Sequence, residues 1–308
     1  MAPAGGVLVI DKPRGPTSHD VVARVRRALG LRAVGHAGTL DPMATGVLVV
    51  AVGEATKLVP WLTAQDKTYE TTIALGVETD TLDAEGREVR RVAPSPELLH
   101  ELAAAREGRA APALHAALER ERTRTSQVPP AFSAIRTEGE RSFVRARRGE
   151  ATELPAREVK VNRLELVECR ADPPLLVLRL EVGKGYYVRS LARDLAEALG
   201  TAGHLTDLRR TSSGHFSLEE AVPLDGPAGE LAAGVQPLAR AAARALPVAR
   251  LSVAGARDAR HGRRVAGEEL DPRTPGPRAW LDPEGDLVAV GELGEDGYGR
   301  VLRGFVTA

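Results

Sequence analysis

Two residues in this 308-residue chain stand in settings suited to chemistry. Asp41 lies in the stretch GTLDPMATG, between Gly38 and Gly46 and directly before Pro42, which biases its backbone towards an extended or turn conformation. A loop of that kind can present a carboxylate as nucleophile or general base, although the same residues also suit an ordinary Asp-Pro turn. No GKS or GKT follows the glycines and no GxGxxG is completed, which disfavours a phosphate-cradling nucleotide loop. Arg189, in GKGYYVRS, falls in the first turn of an expected helix, where a cation faces the positive end of the helix dipole at a cost of about 0.3–1 kcal/mol. An anion nearby would offset that cost, and Gly183 and Gly185 allow close backbone approach. Arg189 is therefore either a solvated surface cation or a bidentate partner of Asp41 that keeps the carboxylate ionised and oriented.

Other residues carry weaker signals. Tyr69, in DKTYET, opens an alternating segment in which a tyrosine commonly serves as a core or edge aromatic. His36 has no partner at metal-ligand spacing, so no metal site is expected, and there is no GxSxG elbow. Cys169, the single cysteine, sits in the apolar-alternating context LELVEC and reads as a buried structural thiol.

These residues need a scaffold, and the patterning predicts one of mixed α and β type. A short strand over Val7–Ile10 precedes a helix over His19–Leu29, with Ser18 as its N-cap and Gly30 as its stop. The Gly35–Gly46 loop leads into a buried-type strand, Val47–Val52, and a helix from Glu54 to Leu62. Tyr69–Leu75 alternates as a half-buried strand, and Asp80–Gly86 has turn chemistry. Helices are expected over Pro96–Arg106 and Ala113–Arg122, in a peripheral position. Beyond the Pro129–Pro130 pair a short strand and a short Arg-rich helix follow. Val159–Val167 and Leu175–Val182 read as strands joined at Asp172–Pro174, and Val188–Leu199 as an amphipathic helix stopped by Gly200. A Pro- and Ala-rich stretch, Pro223–Pro247, then separates this body from a small, mainly β tail.

Length and composition agree with a large domain plus an appendage. Hydrophobic residues make up 43% and charged residues 27%, a globular balance. The longest clean apolar run, Gly46–Gly53, is far below the ~20 residues of a membrane span, and the N-terminal residues lack a secretory signal, so a cytoplasmic location is expected. The formal net charge of zero hides segregation: Arg120–Arg148 holds eight Arg and three Glu, whereas Glu268–Asp296 holds nine acids and two Arg. Aromatic residues at 3% argue against a multi-base stacking platform.

Six blocks in order, VLVIDKP (Val7–Pro13), GHAGTLDPMATGVL (Gly35–Leu48), DKTYE (Asp66–Glu70), QVPPAFSA (Gln127–Ala134), GKGYYVRSLARDL (Gly183–Leu195) and HLTDLRR (His204–Arg210), resemble the bacterial tRNA pseudouridine synthases of the TruB family. The tail is similar through ARHGRRV (Ala259–Val265) to the PUA-like module that ends those enzymes. The resemblance implies an α/β catalytic domain around a mixed sheet over residues 1–245, with an RNA-contacting lobe at about 120–150, and a small, mainly β PUA-like domain over 246–308. It implies cofactor-free isomerisation of the T-loop uridine, position 55 by tRNA convention. Asp41 is then the catalytic aspartate, Tyr69 the ring that packs on the target base, Arg189 the partner of the aspartate and Leu208 a pocket wall. His36 and Lys12 match RNA-side positions of the family, and Arg136, Arg141, Arg145, Arg147 and Arg148 are the expected phosphate contacts. The expected partner is the T-arm of tRNA, with no membrane, no required protein partner and a monomeric chain.

The chain departs from the family pattern at Phe132 and Arg136, where Tyr and Lys are usual, and at Phe143, where Tyr is usual. Residues 94–127 are longer than usual and lack the Phe and Gly that normally precede the Gln-Pro-Pro element. The rival readings are a non-catalytic tRNA-binding or folding module, a guide-RNA-dependent relative, and a small-molecule carboxylate hydrolase.

Overall fold

The computed structural model describes residues 5–133, 135–137, 140–148, 150 and 154–306, and the side chains of residues 136, 137, 141, 143 and 147 are outside that description. The chain divides into two compact units. Residues 1–42, 46–65 and 212–308 form the first, and residues 43–45 and 66–211 the second.

In the first unit, β1 (Gly5–Lys12) is buried along almost its whole length. Helix α1 (Ser18–Leu29) follows, then β2 (Val34–His36) and β3 (Thr45–Gly53), which runs antiparallel to both β1 and β2. The N-cap of α1 is Thr17 rather than Ser18: Thr17 Oγ1 accepts from Asp20 N–H and the Asp20 carboxylate accepts from Thr17 N–H, a reciprocal capping box. The Glu54–Leu62 helix is split, with a 3-10 turn over Glu54–Leu58 and α2 over Val59–Ala64. Pro60, which has no N–H to give, sits in the first turn of α2.

The second unit begins with β4 (Lys67–Leu75), whose odd-numbered residues are all buried. A hairpin of β5 (Val77–Thr79) and β6 (Glu88–Arg91) precedes α3 (Pro96–Arg106) and α4 (Pro112–Arg122). Then come β7 (Ser126–Gln127), the two-residue strands β8 (Arg136–Thr137) and β9 (Glu140–Arg141), and α5 (Ser142–Arg147). Further on, β10 (Arg157–Glu158) pairs with β7, and the long hairpin of β11 (Val161–Ala171) and β12 (Pro174–Val182) leads to α6 (Val188–Ala198) and β13 (Gly203–Ser213). The strand order here is β11-β12-β4-β13. The helices α3 and α4 are not peripheral. They pack on β11, with Leu98, Leu102, Leu114 and Leu118 buried, and Arg122 Nε donates to the Leu164 carbonyl. Cys169 lies under them, buried, with its thiol on the Leu102 carbonyl and its pKa pushed up by burial.

The rest of the first unit is β14 (Phe216–Ser217), β15 (Val222–Pro223), α7 (Ala228–Ala233), β16 (Gln236–Pro237) and α8 (Leu238–Ala245). The Pro- and Ala-rich stretch is thus built into the fold: β15 and β16 pair with β1, and Ala241, Ala242 and Ala245 enter one core with Val7, Val9, Val47, Leu281 and Val290. The tail contributes β17 (Val248–Leu251), α9 (Val253–Arg260), β18 (Val265–Ala266), β19 (Leu270–Asp271), β20 (Arg278–Leu281), β21 (Leu287–Leu293) and β22 (Tyr298–Gly304). These strands form a sheet of order β18-β22-β21-β20-β17-β19 around buried Trp280, so the tail is mainly β as expected. Among the described residues no helix is long and apolar enough to cross a membrane.

Candidate active site

In the first unit the Asp41 loop joins β2 to β3. Gly38 within it, at φ +105°, and Gly46, the second residue of β3, at φ +97°, take a left-handed backbone that L side chains rarely adopt. Between them Leu40, Met43 and Ala44 are buried while Asp41 is half-buried. The backbone on each side of Asp41 is tied down. Buried Ser18 Oγ accepts from Leu40 N–H at 2.8 Å and donates to the Leu40 carbonyl at 3.0 Å. The Pro42 carbonyl accepts from Gly15 N–H at 2.9 Å and from Lys12 Nζ at 3.2 Å.

Lys12 is therefore placed differently from the RNA-facing position expected. It is 0% exposed, with Nζ on the Pro13 and Pro42 carbonyls, so its charge supports the loop from beneath and is not presented to a phosphate. Ser18 was missed as a site residue because a serine at a helix start reads as a cap. Replacing it with alanine leaves the Leu40 N–H and carbonyl without this partner. Ser18→Ala is expected to lose ~1–3 kcal/mol of stability by chemical denaturation, whereas replacements at exposed α1 positions cost little.

His36, on β2, is half-buried and meets the His19 ring edge-on, with centroids 5.4 Å apart. Among the described residues no group of His, Cys, Asp and Glu could hold a metal ion.

In the second unit Tyr69 sits in the middle of the β4 alternation, 9% exposed and level with Leu180 of β12. Leu208, 5% exposed, lies on the other neighbour of β4, strand β13. The burial alternation of β13 slips by one residue between Leu205 and Leu208, so that Leu208 and Arg210 are buried while Asp207 is exposed. That slip removed the period-two signal, and sequence reasoning assigned no strand here.

Arg189 is 6% exposed, which rules out the solvated alternative. Its Nη1 donates to the Thr81 carbonyl and its Nη2 to the Phe132 carbonyl, both at 2.9 Å, and its Nε lies 3.9 Å from the Asp83 carboxylate. Buried Asp83 also accepts from Thr81 Oγ1 and Glu85 N–H. Asp83 belongs to the turn stretch Asp80–Gly86, and turn chemistry alone concealed its second role. The Gln127–Phe132 segment is stitched to the start of α6: the Gln127 amide exchanges two hydrogen bonds with the Tyr187 backbone, and Ser190 Oγ donates to the Val128 carbonyl.

Two buried cations accompany Tyr69. Burial, together with the Arg210 guanidinium, lowers the Lys67 pKa from 10.5 to about 8, against the opposing pull of Asp66. The unfolded chain retains that proton up to about pH 10.5, so the folded chain gains stability from this group as pH rises from about 8 towards 10.5. Unfolding free energies of the native chain and Lys67→Met should therefore converge over that window and stay a constant distance apart below it. A gap unaltered between pH 8 and 10.5 would contradict this.

The Arg-rich lobe is less free than its composition suggests. Arg148 pairs with Glu140 at 2.7 Å and Arg145 with Glu150 at 3.1 Å, while Arg124 and Arg122 hold Glu121 and Glu119. The pairs of Arg148, Arg145 and Arg122 are exposed to solvent and worth ~0–1 kcal/mol, so a phosphate can displace their carboxylates, whereas Glu121 is buried and its pair is part of the core. The side chains of Arg136, Arg141 and Arg147 lie outside the described residues.

The chain matches two family models, "TruB family pseudouridylate synthase (N terminal domain)" over residues 26–188 and "tRNA pseudouridylate synthase B C-terminal domain" over residues 189–226. It is 46% identical over 295 residues to tRNA pseudouridine synthase B of Thermobifida fusca (strain YX), covering 94% of each chain. It is 44% identical over 292 residues to the protein of that name from Mycobacterium sp. (strain KMS), covering 94% of this chain and 93% of the relative. Among solved structures it resembles the crystal structure of a Cbf5-Nop10-Gar1 complex, with 26% identity, a TM-score of 0.66, and 93% of this chain and 78% of that chain covered. A second is the archaeal box H/ACA sRNP Nop10-Cbf5 complex, with 25% identity, a TM-score of 0.68, and 99% and 87% covered.

Proposed function

Because the chain belongs to the TruB family of pseudouridylate synthases, we propose that it converts the T-loop uridine at position 55 of tRNA to pseudouridine, with Asp41 as the reacting carboxylate and no cofactor. The observation that carries the reading is the anchoring of the backbone on both sides of Asp41, at Leu40 by Ser18 and at Pro42 by Lys12, which preorganises one carboxylate on its loop. The reaction needs no redox step: the N1–C1′ bond breaks, the base turns, C5 bonds to C1′, C5 gives up its proton and N1 gains one. An ionised Asp41 serves by adding to C6, by attacking C1′ or by removing the C2′ proton.

In this proposal Tyr69 packs on the target ring and serves the C5 proton transfer, Leu208 walls the pocket, and Arg189 is the partner that orients the reacting carboxylate. The target base is stacked in the folded T-loop, so it is flipped out at a cost of a few kcal/mol, which contacts to the RNA backbone offset. The lobe at about 120–150 supplies those contacts within a catalytic domain of residues 1–245, and residues 246–308 form the appended PUA-like module. The chain works in the cytoplasm as a monomer without a protein partner. The full-length relatives named as tRNA pseudouridine synthase B support this stand-alone reading over the guide-RNA-dependent one, which rests on the more distant fold match.

The test is tritium release from a tRNA transcript labelled at uridine C5, run beside a transcript with cytidine at position 55. Release from the first that is missing from the second is expected. Tight tRNA binding with no release from either transcript would replace this reading with the non-catalytic binding or folding module. The lobe has its own check. Replacing Arg145, Arg147 and Arg148 with glutamine should flatten the slope of log Kd against log salt by about 2, given ~0.7–0.9 per phosphate contact. An unchanged slope would remove the lobe from the interface.

A further inference from the structure

The segment that departs from the family pattern, residues 94–127, ends in a buried polar network that reaches Tyr186, just before the helix that carries Arg189. Glu121, on the last turn of α4, is 2% exposed. Its Oε1 accepts from the Tyr186 hydroxyl at 2.7 Å and its Oε2 from Arg124 Nε at 2.6 Å. Arg124 Nη1 in turn lies 3.4 Å from Asp194 on α6. Burial, reinforced by the Glu121 carboxylate, pushes the Tyr186 hydroxyl well above its ordinary pKa, so it remains a donor at any working pH.

A buried carboxylate at a helix C-terminus is electrostatically unfavourable, and burying one calls for partners that satisfy both oxygens. What this arrangement secures is visible at α6. That helix has no side-chain N-cap, and it follows the irregular run Gly183–Tyr187, in which Gly185 takes φ +92°. The start of α6 is therefore located by outside anchors: the Gln127 clamp on Tyr187, Ser190 on Val128, and the Glu121–Tyr186 bond. Three residues after Tyr186 stands Arg189, which must reach the Thr81 and Phe132 carbonyls together.

We propose that Glu121 is a positioning residue for the isomerisation, acting through Tyr186 to set the Tyr187–Arg189 turn and hence the guanidinium of Arg189. The inference rests on the pseudouridine synthase reading above. Its test compares Tyr186→Phe with the double variant Glu121→Leu/Tyr186→Phe in the full-length chain, measuring thermal stability, kcat and KM for tRNA, and hydrogen exchange at the Tyr187 amide. The single variant leaves a buried carboxylate oxygen short of a partner, whereas the double variant removes the hydroxyl and the carboxylate together, leaves Arg124 to Asp194 and the Ser126 carbonyl, and regains part of that stability. Both variants are expected to lose kcat by about tenfold with KM nearly unchanged, as a misplaced positioning group does, and to exchange the Tyr187 amide about tenfold faster. Native kcat in the stable double variant would mean that the network only supports folding, and would overturn the proposal. If the native chain itself released no tritium, the functional reading would fail instead. The exchange measurement would then decide alone: faster exchange upholds the positioning role and unchanged exchange overturns it.

Discussion

Asp41→Asn is expected to abolish tritium release from uridine-labelled tRNA, a fall of at least about 10⁴ in kcat, while tRNA affinity stays within about tenfold of native. The substitution keeps the side-chain volume, and the anchors on either side of residue 41 engage only the backbone of Leu40 and Pro42. The loop should therefore hold its shape, and the loss reports the carboxylate alone. An amide can neither add to the ring nor take a proton, whichever of the three routes operates. A variant that bound tRNA poorly yet turned over the bound fraction at the native rate would contradict the assignment. Single-turnover measurement at saturating enzyme separates the two outcomes.

Arg189→Lys is expected to have the second largest effect, lowering kcat by about 10²-fold and stability by ~1–3 kcal/mol. The charge is retained, but the guanidinium fork is not. Arg189 reaches the Thr81 and Phe132 carbonyls with separate nitrogens while its Nε faces Asp83, and a single ammonium on a different stem cannot reproduce that spread. At least one of the two part-buried bonds to the Thr81 and Phe132 carbonyls, or the contact with Asp83, would be lost. If only positive charge mattered at this position, the lysine variant would keep most of its kcat, and a near-native rate would remove the orienting role from Arg189. Denaturation midpoints measured on the same samples show whether a slow variant is merely unfolded.

Several features of the site were legible in the sequence because their signals are local. Gly38 and the Asp-Pro step mark a loop through backbone preferences that act within one or two residues, although the loop is shorter than the expected Gly35–Gly46, because Gly35 and His36 join β2 and Gly46 joins β3. The amphipathic spacing of Val188, Leu191, Ala192 and Leu195 marks α6, and the alternation from Tyr69 to Leu75 marks most of β4. The apolar setting of Cys169 marks a buried thiol. In each case the period of a helix or strand repeats within a short window, and burial of one face follows from it.

What only the tertiary structure decided involves partners distant in the chain. Ser18 carries the chemistry of a cap, yet it serves Leu40, 22 positions away, because α1 packs against the loop after β2. Lys12 has the charge of a phosphate ligand and is buried under Pro42 instead. Arg189 was open to two readings until the Gln127–Phe132 segment and the turn at Thr81 closed over it. The helices over Pro96–Arg106 and Ala113–Arg122 looked peripheral, and the last turn of the second is tied to Tyr186. Propensity and periodicity are set by neighbours along the chain, so the sequence by itself determined the core of β1, α1 and β3 around Asp41, but not the short β2, whose three residues become strand only by pairing with β3. The pairing of a buried polar group depends on which donors and acceptors the assembled sheet brings within 3 Å or so, a geometry that exists only once the strands have met.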